Sequence, residues 1–411
     1  MNSGHISALI LVLVLPVVPP STVWGDGAGW RNDGTGLYPN AAVPSQWDGE
    51  QGKNVLWRSK IGKGQSSAVV CGQRVFVTAE PDRLLCLDRT SGKILWSARN
   101  GYAALPADAK TPRKPLPTSP NCGYATPTPV TDGKLVWVSC GSGVVACYDI
   151  EGRRRWIRLV DLPQATQYGR SASPLLVDGK LLVSIGGIEA LDPHSGATLW
   201  QAEEAKPTYG TPAAARIGAT AVICTPGGDC VRVSDGRILA RKLPKCTYTS
   251  PLVRGNVVYY VDSTVTAIGF PEKLGETWTP RKVWENDDVE GEFFASPICC
   301  DGTLYCASNE GTLYALDAKT GAEVFHKELE IRAASGKPGI GPANVYPSLC
   351  LVGSRILLGN DAGQMLVLEP GKQYRQVSQN YLDKGCGATP VVDGNRIYIR
   401  GEQYLYCIGT K

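Results

Sequence analysis

One glycine governs what this chain can become. It recurs at the same point of a repeated unit, at Gly72, Gly133, Gly179, Gly218, Gly255, Gly302, Gly353 and Gly394. The unit is clearest over residues 293–327. Residues 295–300 form a short apolar run behind a Ser-Pro step, and Asp301-Gly302 is a two-residue turn of the kind that closes a tight hairpin. Residues 303–307 read as a second strand, 309–311 as a turn and 312–317 as a third strand. After a turn from Asp317 to Gly321, residues 322–327 read as a fourth. Four short antiparallel strands make one meander sheet. It cannot cover both its own faces and must stack on a like neighbour.

Eight glycines at a mean spacing of roughly 46 residues give eight such sheets, the period of propeller blades. Most first strands open on a Ser/Thr-Pro step: Thr126-Pro127, Ser173-Pro174, Thr211-Pro212, Ser250-Pro251, Ser296-Pro297 and Thr389-Pro390. Proline is tolerated there because the start of a strand need not donate to the ladder. Third strands end on Leu87-Asp88, Tyr148-Asp149, Leu191-Asp192 and Leu316-Asp317. Fourth strands carry Trp96, Trp156, Trp200 and Trp284, with Phe325 in the sixth copy, and copies four and seven lack the aromatic. A ring of that size on the outer strand can bridge to the next sheet.

The last copy ends after its third strand, while residues 54–61, with Trp57, stand alone before the first copy. The expected fold is therefore all-β. It is an eight-bladed β-propeller of four-stranded antiparallel blades, the last blade closed by an N-terminal strand, so that no sheet edge stays open. Residues 54–411 form the propeller. Residues 26–53 are an N-terminal extension expected to lie across the rim, and residues 1–25 read as a signal peptide, with an apolar run at 8–15 and small residues before Asp26. That run is far shorter than the ~20 residues needed to span a bilayer. The protein is expected to be exported, to the periplasm or beyond, not membrane-spanning, and a monomer. A balance of +4 leaves no nucleic-acid footprint.

Fourteen cysteines in an exported chain invite a disulfide reading. The stronger reading is packing. Cys86, Cys147 and Cys407 fall in the third-strand slot that Ala190 and Ala315 hold in other copies, and a buried free cysteine serves there as a small hydrophobe. Cys224 and Cys230 flank one turn and are the disulfide candidate. No zinc spacing and no haem-attachment motif occurs.

The Ser/Thr-Pro step, the Asp-Gly hairpin, the A-L-D-x-x-T-G turn and the outer Trp together resemble the pyrroloquinoline-quinone (PQQ) type of propeller repeat, over residues 54–411. Quinoprotein alcohol dehydrogenases and the outer-membrane assembly lipoprotein BamB share that repeat. The opening from Trp30 to Gly36, followed by Trp57, resembles secreted bacterial repeat proteins. The resemblance implies PQQ and Ca²⁺ as the cofactors of an enzymatic reading. It also implies a use for a vicinal pair such as Cys299-Cys300, which quinoprotein dehydrogenases set as a disulfide ring against the quinone. Here the pair ends a first strand, away from the lead-in loops, with neighbouring side chains pointing to opposite sides.

In a propeller the fourth-to-first connections and second-to-third turns share one face. Most of the long connections fall there: 100–122, 285–292 and 329–344. Tyr124, Tyr209, Tyr248 and Phe294 are expected at the channel mouth on that face, with Arg170 beside them. They either stack on a planar or sugar-like ligand or simply wall the channel, and period-locked aromatics favour the wall. Asp287, Asp288 and Glu290 are the candidate Ca²⁺ ligands, set against a solvated acidic loop as the simpler reading. Three histidines, of which His5 falls in the leader, leave no Ser-His-Asp order and no nucleophile elbow. The expected role is an exported, non-catalytic binding or scaffold module of the cell envelope, meeting a protein or carbohydrate partner on the loop-rich face. The alternatives are a PQQ/Ca²⁺-dependent dehydrogenase of alcohols or sugars, and a BamB-like outer-membrane protein assembly factor.

Overall fold

The computed structural model describes residues 28–107, 109, 122–162, 168–330, 343–383, 385 and 387–410. The expected leader and most of segments 100–122 and 329–344 lie outside them. Eight antiparallel four-stranded sheets follow one another around a ring. Blades 1 to 7 span 69–99, 130–159, 175–202, 213–240, 252–286, 298–328 and 350–381. Blade 8 takes 391–408 and borrows its outer strand from Val55–Lys60. The sixth blade runs Ile298–Cys300, Thr303–Ala307, Thr312–Asp317 and Glu323–Glu328. Its first hairpin turns through Asp301 at φ 49 and Gly302 at φ 75. Two left-handed residues in a row give the turn whose twist matches that of paired strands.

Burial falls from the inner strands to the outer one. All six residues of Val144–Asp149 are buried, whereas Ile94–Arg99 is mostly exposed. Opposite the outer aromatic lies the small slot residue: Cys86 pairs with Trp96, Cys147 with Trp156, Ala190 with Trp200, Ala315 with Phe325 and Cys407 with Trp57. A small side chain there leaves room for the neighbouring ring. Each tryptophan then reaches the next blade. The indole N–H of Trp57, Trp96, Trp156, Trp200 and Trp284 donates to the carbonyl of Arg89, Ile150, Pro193, Val233 and Ala318 respectively.

The two blades without an outer aromatic at that position acquire a tryptophan from elsewhere. Ala240 holds the aromatic's place on the outer strand of blade 4, opposite Cys230, and Trp278, from the long third-to-fourth connection of blade 5, is buried beside it and donates its backbone N–H to the Leu239 carbonyl. Between blades 7 and 8 the N-terminal extension inserts Trp47, only 3% exposed.

The ring closes as a pairing of Val55–Lys60 with Tyr404–Ile408, which sets Trp57 and Tyr398 with ring centroids 5.9 Å apart. A second closure lies inside. One hydroxyl residue per blade, Ser67, Thr128, Ser173, Thr211, Ser250, Ser296, Ser348 and Thr389, links neighbours around the channel. Seven backbone N–H groups, from Ser67 to Ser348, each donate to the next hydroxyl at 2.8–3.0 Å. The Ser67 hydroxyl donates back to the Thr389 carbonyl at 2.9 Å.

The extension departs from the expected path across the rim. Residues 28–36 enter the channel from the face opposite the lead-in loops. Ala28 bridges to Thr131, and the Arg31 guanidinium, 1% exposed, donates to the carbonyls of Pro297 and Leu349 at 2.7 and 2.9 Å. Leu37–Tyr38 then adds a fifth, parallel strand to the inner edge of blade 7. The chain leaves beneath blades 7 and 8 and joins Val55–Lys60 outside. Unpaired backbone on the inner edge of blade 7 and the gap between blades 7 and 8 supply what a polar rim cannot: partners for the ladder and a pocket for Trp47.

Candidate ligand site at the channel mouth

The channel opens on the face of the fourth-to-first connections and second-to-third turns, as the connectivity requires, and encloses about 590 Å³. Its far end meets Trp30 of the inserted extension. It is therefore a blind cup, of a volume typical of small-molecule sites.

The residue two positions before each ring hydroxyl lines the mouth. In blade order these are Gln65, Thr126, Ser171, Tyr209, Tyr248, Phe294, Tyr346 and Gly387. The aromatic members are contiguous, on blades 4 to 7. Tyr209 and Tyr248 stack at 5.5 Å and 22°, Tyr248 and Phe294 at 4.1 Å and 16°, and Tyr346 meets Phe294 edge-on at 5.2 Å. Tyr168, from the loop before blade 3, packs edge-on against Tyr209 and Tyr248. Burial, followed by the Glu292 carboxylate, pushes the Tyr248 phenol above its usual range, so it stays a neutral hydroxyl.

The opposite wall is polar. Glu80, Asp361 and Glu402 sit in the second-to-third turns of blades 1, 7 and 8, at one level of the cup. Blade 8 faces blade 4 across the ring, and blade 1 faces blade 5. Burial raises the Glu80 carboxyl above its ordinary value, against the backbone N–H groups of Ala125 and Tyr124 and the Arg400 guanidinium, which all favour the ionised form. Ala125 N–H donates to its Oε1 at 2.6 Å. Gly123 makes room for this carboxylate, since a Cβ there would lie 2.1 Å from Oε1. Asp361 is oriented by Asn344, whose backbone N–H donates to Oδ1 at 2.8 Å and whose amide donates to Oδ2 at 3.1 Å. Lys63 is the lining cation among the described residues. Arg400 lies deeper, its donors given to the carbonyls of Gly62 and Thr78.

The sequence-predicted site is partly rearranged. Tyr209, Tyr248 and Phe294 line the mouth together, but Tyr124 does not. Blade 2 carries two Thr-Pro steps in succession, and the ring uses Thr128, not Thr126, so Tyr124 sits two residues too early and Thr126 takes the aromatic position. Arg170 is 5% exposed beneath the loop and outside the lining. Asp287, Asp288 and Glu290 are exposed, and no group of three metal-ligating side chains occurs among the described residues. Cys224 and Cys230 are directly opposed across their hairpin, both as free thiols. Cys299 packs toward blade 5 and Cys300 toward blade 7, as neighbours in a strand must. Tyr346, Tyr168, Gln65, Glu80, Asp361 and Glu402 were missed. Gln65 and Tyr346 precede a ring serine that has no proline after it, so the Ser/Thr-Pro step passes over them. Counting back from the hairpin glycine, Gly72 to Ser67 and Gly353 to Ser348, would have found them.

A blind, loop-lined propeller channel with the PQQ-type repeat around it defines a class of fold, not an activity. The family described as outer membrane protein assembly factor BamB matches residues 45–277 and 276–411, and the chain belongs to that family of PQQ-type propellers. No curated protein matches it. Among solved structures, BamB from Moraxella catarrhalis is similar over 87% of this chain and 99% of its own, at 16% identity and a TM-score of 0.60. Quinohemoprotein alcohol dehydrogenase ADHIIG from Pseudomonas putida HK5 is similar over 90% and 78%, at 11% identity and 0.60. The computationally designed Ika8 protein is similar over 87% and 98%, at 12% and 0.59. Likeness at these identities carries the fold alone.

PQQ is planar and bears three carboxylates, and the described residues do not fit it. Tyr248 and Phe294 face each other at 4.1 Å, which leaves no slot for a flat ring between them. The wall opposite presents three carboxylates to an anionic guest. The vicinal thiols diverge, and the exposed Asp287, Asp288 and Glu290 form no three-ligand group with other described residues.

Proposed function

We propose that this protein is an exported, non-catalytic propeller of the cell envelope, acting as a binding module through its channel mouth. The observation that carries the reading is the cup itself: closed below by Trp30, with an aromatic wall on blades 4 to 7 and a polar wall on blades 7, 8 and 1. His194 and His326 are exposed on a turn and an outer strand, so neither of these histidines lines that cup. The residues at 1–25 support export, and the closed ring supports a monomer. The description of the family favours protein assembly work as a second reading, in which the same loop-rich face meets a protein.

The test is a titration of purified protein with PQQ and Ca²⁺, followed by dye reduction with alcohols and aldoses. The expected result is no turnover. Saturable quinone binding with turnover would sink the reading and promote the dehydrogenase alternative.

A further inference from the structure

We infer that the ligand of the mouth is a neutral carbohydrate, held between the aromatic edges of blades 4 to 6 and the carboxylates of blades 7, 8 and 1. This rests on the binding-module reading and narrows it to a chemical class.

The orientation of the rings decides which ligands the aromatic wall can take. Tyr209, Tyr248 and Phe294 occupy one register position on successive blades, and they stack along the circumference of the channel. Their faces are turned to each other and their edges to the axis. The edge of an aromatic ring carries the positive part of its quadrupole. A cation seeks a face, and these three stacked rings turn none of theirs to the axis. A flat heteroaromatic finds no slot. What an edge wall offers is C–H groups and, from Tyr209 and Tyr248, phenolic hydroxyls, all suited to oxygen atoms.

The opposite wall supplies the complement. Glu80 and Asp361 are fixed by backbone and amide N–H groups, so their acceptor oxygens are oriented before any ligand arrives. A carboxylate carries about four acceptor sites, and the named N–H groups account for two of them at Glu80 and two at Asp361. Guests that donate many hydrogen bonds on one side and present oxygen on the other are polyols. Burying such a ligand costs little only where each hydroxyl meets a partner, and a site built this way rejects analogues that lack the hydroxyl. The cup of about 590 Å³ takes a short oligosaccharide end and not a folded partner.

The experiment is isothermal titration calorimetry on the full chain. The probes are maltotetraose, cellotetraose and N-acetylated chitotetraose, with trilysine and PQQ/Ca²⁺ as comparison arms. Binding of at least one neutral oligosaccharide is expected, weakened tenfold or more in Tyr209→Phe/Tyr248→Phe and in Glu402→Gln. The phenylalanine pair keeps the ring stack, so an unchanged melting temperature separates lost binding from lost fold. Oligosaccharide binding that these variants leave untouched would overturn the proposal. So would silence from all three sugars up to about 10 mM, a range that covers weak sites. Binding of trilysine alone overturns the carbohydrate class and leaves the binding-module reading standing. PQQ/Ca²⁺ binding with dye turnover overturns both.

Discussion

The indole N–H of Trp96 donates to the carbonyl of Ile150 on the next blade at 3.0 Å, and Gly152 lies flat on the same ring. The contact recurs wherever an outer tryptophan meets a following turn. It explains two sequence features at once, because the glycine of the A-L-D-x-x-T-G turn is there to admit the previous blade's tryptophan. Gly92, Gly196, Gly236 and Gly321 stand in the same relation to Trp57, Trp156, Trp200 and Trp284.

Gly152→Ala should therefore cost more than Gly302→Ala. Both glycines have positive φ, 90 and 75, but a Cβ at Gly152 would lie 2.7 Å from the Trp96 ring, whereas at Gly302 it meets nothing within 4 Å. The expected loss is about 1 kcal/mol at Gly302 from backbone strain and about 2–3 kcal/mol at Gly152 with the added overpacking. Urea denaturation of the two variants measures the difference, and equal losses would contradict the packing account.

Trp57 closes the ring. It pairs with Cys407, packs at a tilt against Tyr398 and donates its indole N–H to the Arg89 carbonyl at 3.1 Å. Trp57→Ala should lose about 3 kcal/mol as a large-to-small core change. Deletion of residues 28–60 should do more, exposing the edge of Tyr404–Ile408 and driving association. Size-exclusion chromatography of the deletion should show species larger than the monomer, and a well-behaved monomer would argue against N-terminal closure.

The turn aspartates make stability depend on acid. Asp88 Oδ1 accepts from the Ser91 hydroxyl at 2.7 Å and from the backbone N–H groups of Ser91 and Thr90, and Asp192 and Asp317 repeat the pattern. The side-chain bond to Ser91 leads the lowering for Asp88 and that to Ser195 for Asp192, while the backbone N–H of Thr320 leads it for Asp317. A folded value below the unfolded one gives stability that is complete above about pH 4 and lost as pH falls through the folded value. The triple variant Asp88→Asn, Asp192→Asn, Asp317→Asn should be weaker at pH 7 by about 0.5 kcal/mol per site, small because the turns are exposed. The gap from the native chain should shrink below pH 4, read by denaturation at stepped pH.

Thiol chemistry reports the packing role of the cysteines. Burial pushes Cys86, Cys140, Cys147, Cys246, Cys300, Cys306 and Cys350 up to about 12. Burial raises the Cys71 and Cys122 thiols as well, but these two are only partly buried and so keep access to reagent. Iodoacetamide at pH 8 should label Cys71 and Cys122 in the native protein and leave the other described cysteines untouched, since thiolate and access are both needed. In denaturant without reductant, Cys224 and Cys230 should both be alkylated. Protection of both until reductant is added would mean that this opposed pair had oxidised.

Local chemistry was enough for the blades. The positive-φ turn at Asp301-Gly302, the small residue at Cys86 and the tryptophan at Trp96 each answer to neighbours within one or two sheets, and such constraints repeat with the sequence. The mouth was legible only where the Ser/Thr-Pro step marked it, hence Tyr209, Tyr248 and Phe294 but not Tyr346. Tyr124 was misplaced because two Thr-Pro steps compete in blade 2, and only the ring of hydroxyls chooses between them.

Eight sheets, their order and the borrowed outer strand of the last one follow from the amino-acid sequence, because strand period, turn geometry and the size of one aromatic are short-range demands. Which residues face each other across the channel does not follow. Glu80, Asp361 and Glu402 come together opposite Tyr209, Tyr248 and Phe294 only when the ring closes, and Arg31 and Trp30 find the channel only once its walls exist. Contacts between segments hundreds of residues apart leave no periodic trace in the chain, so the tertiary structure alone decided them.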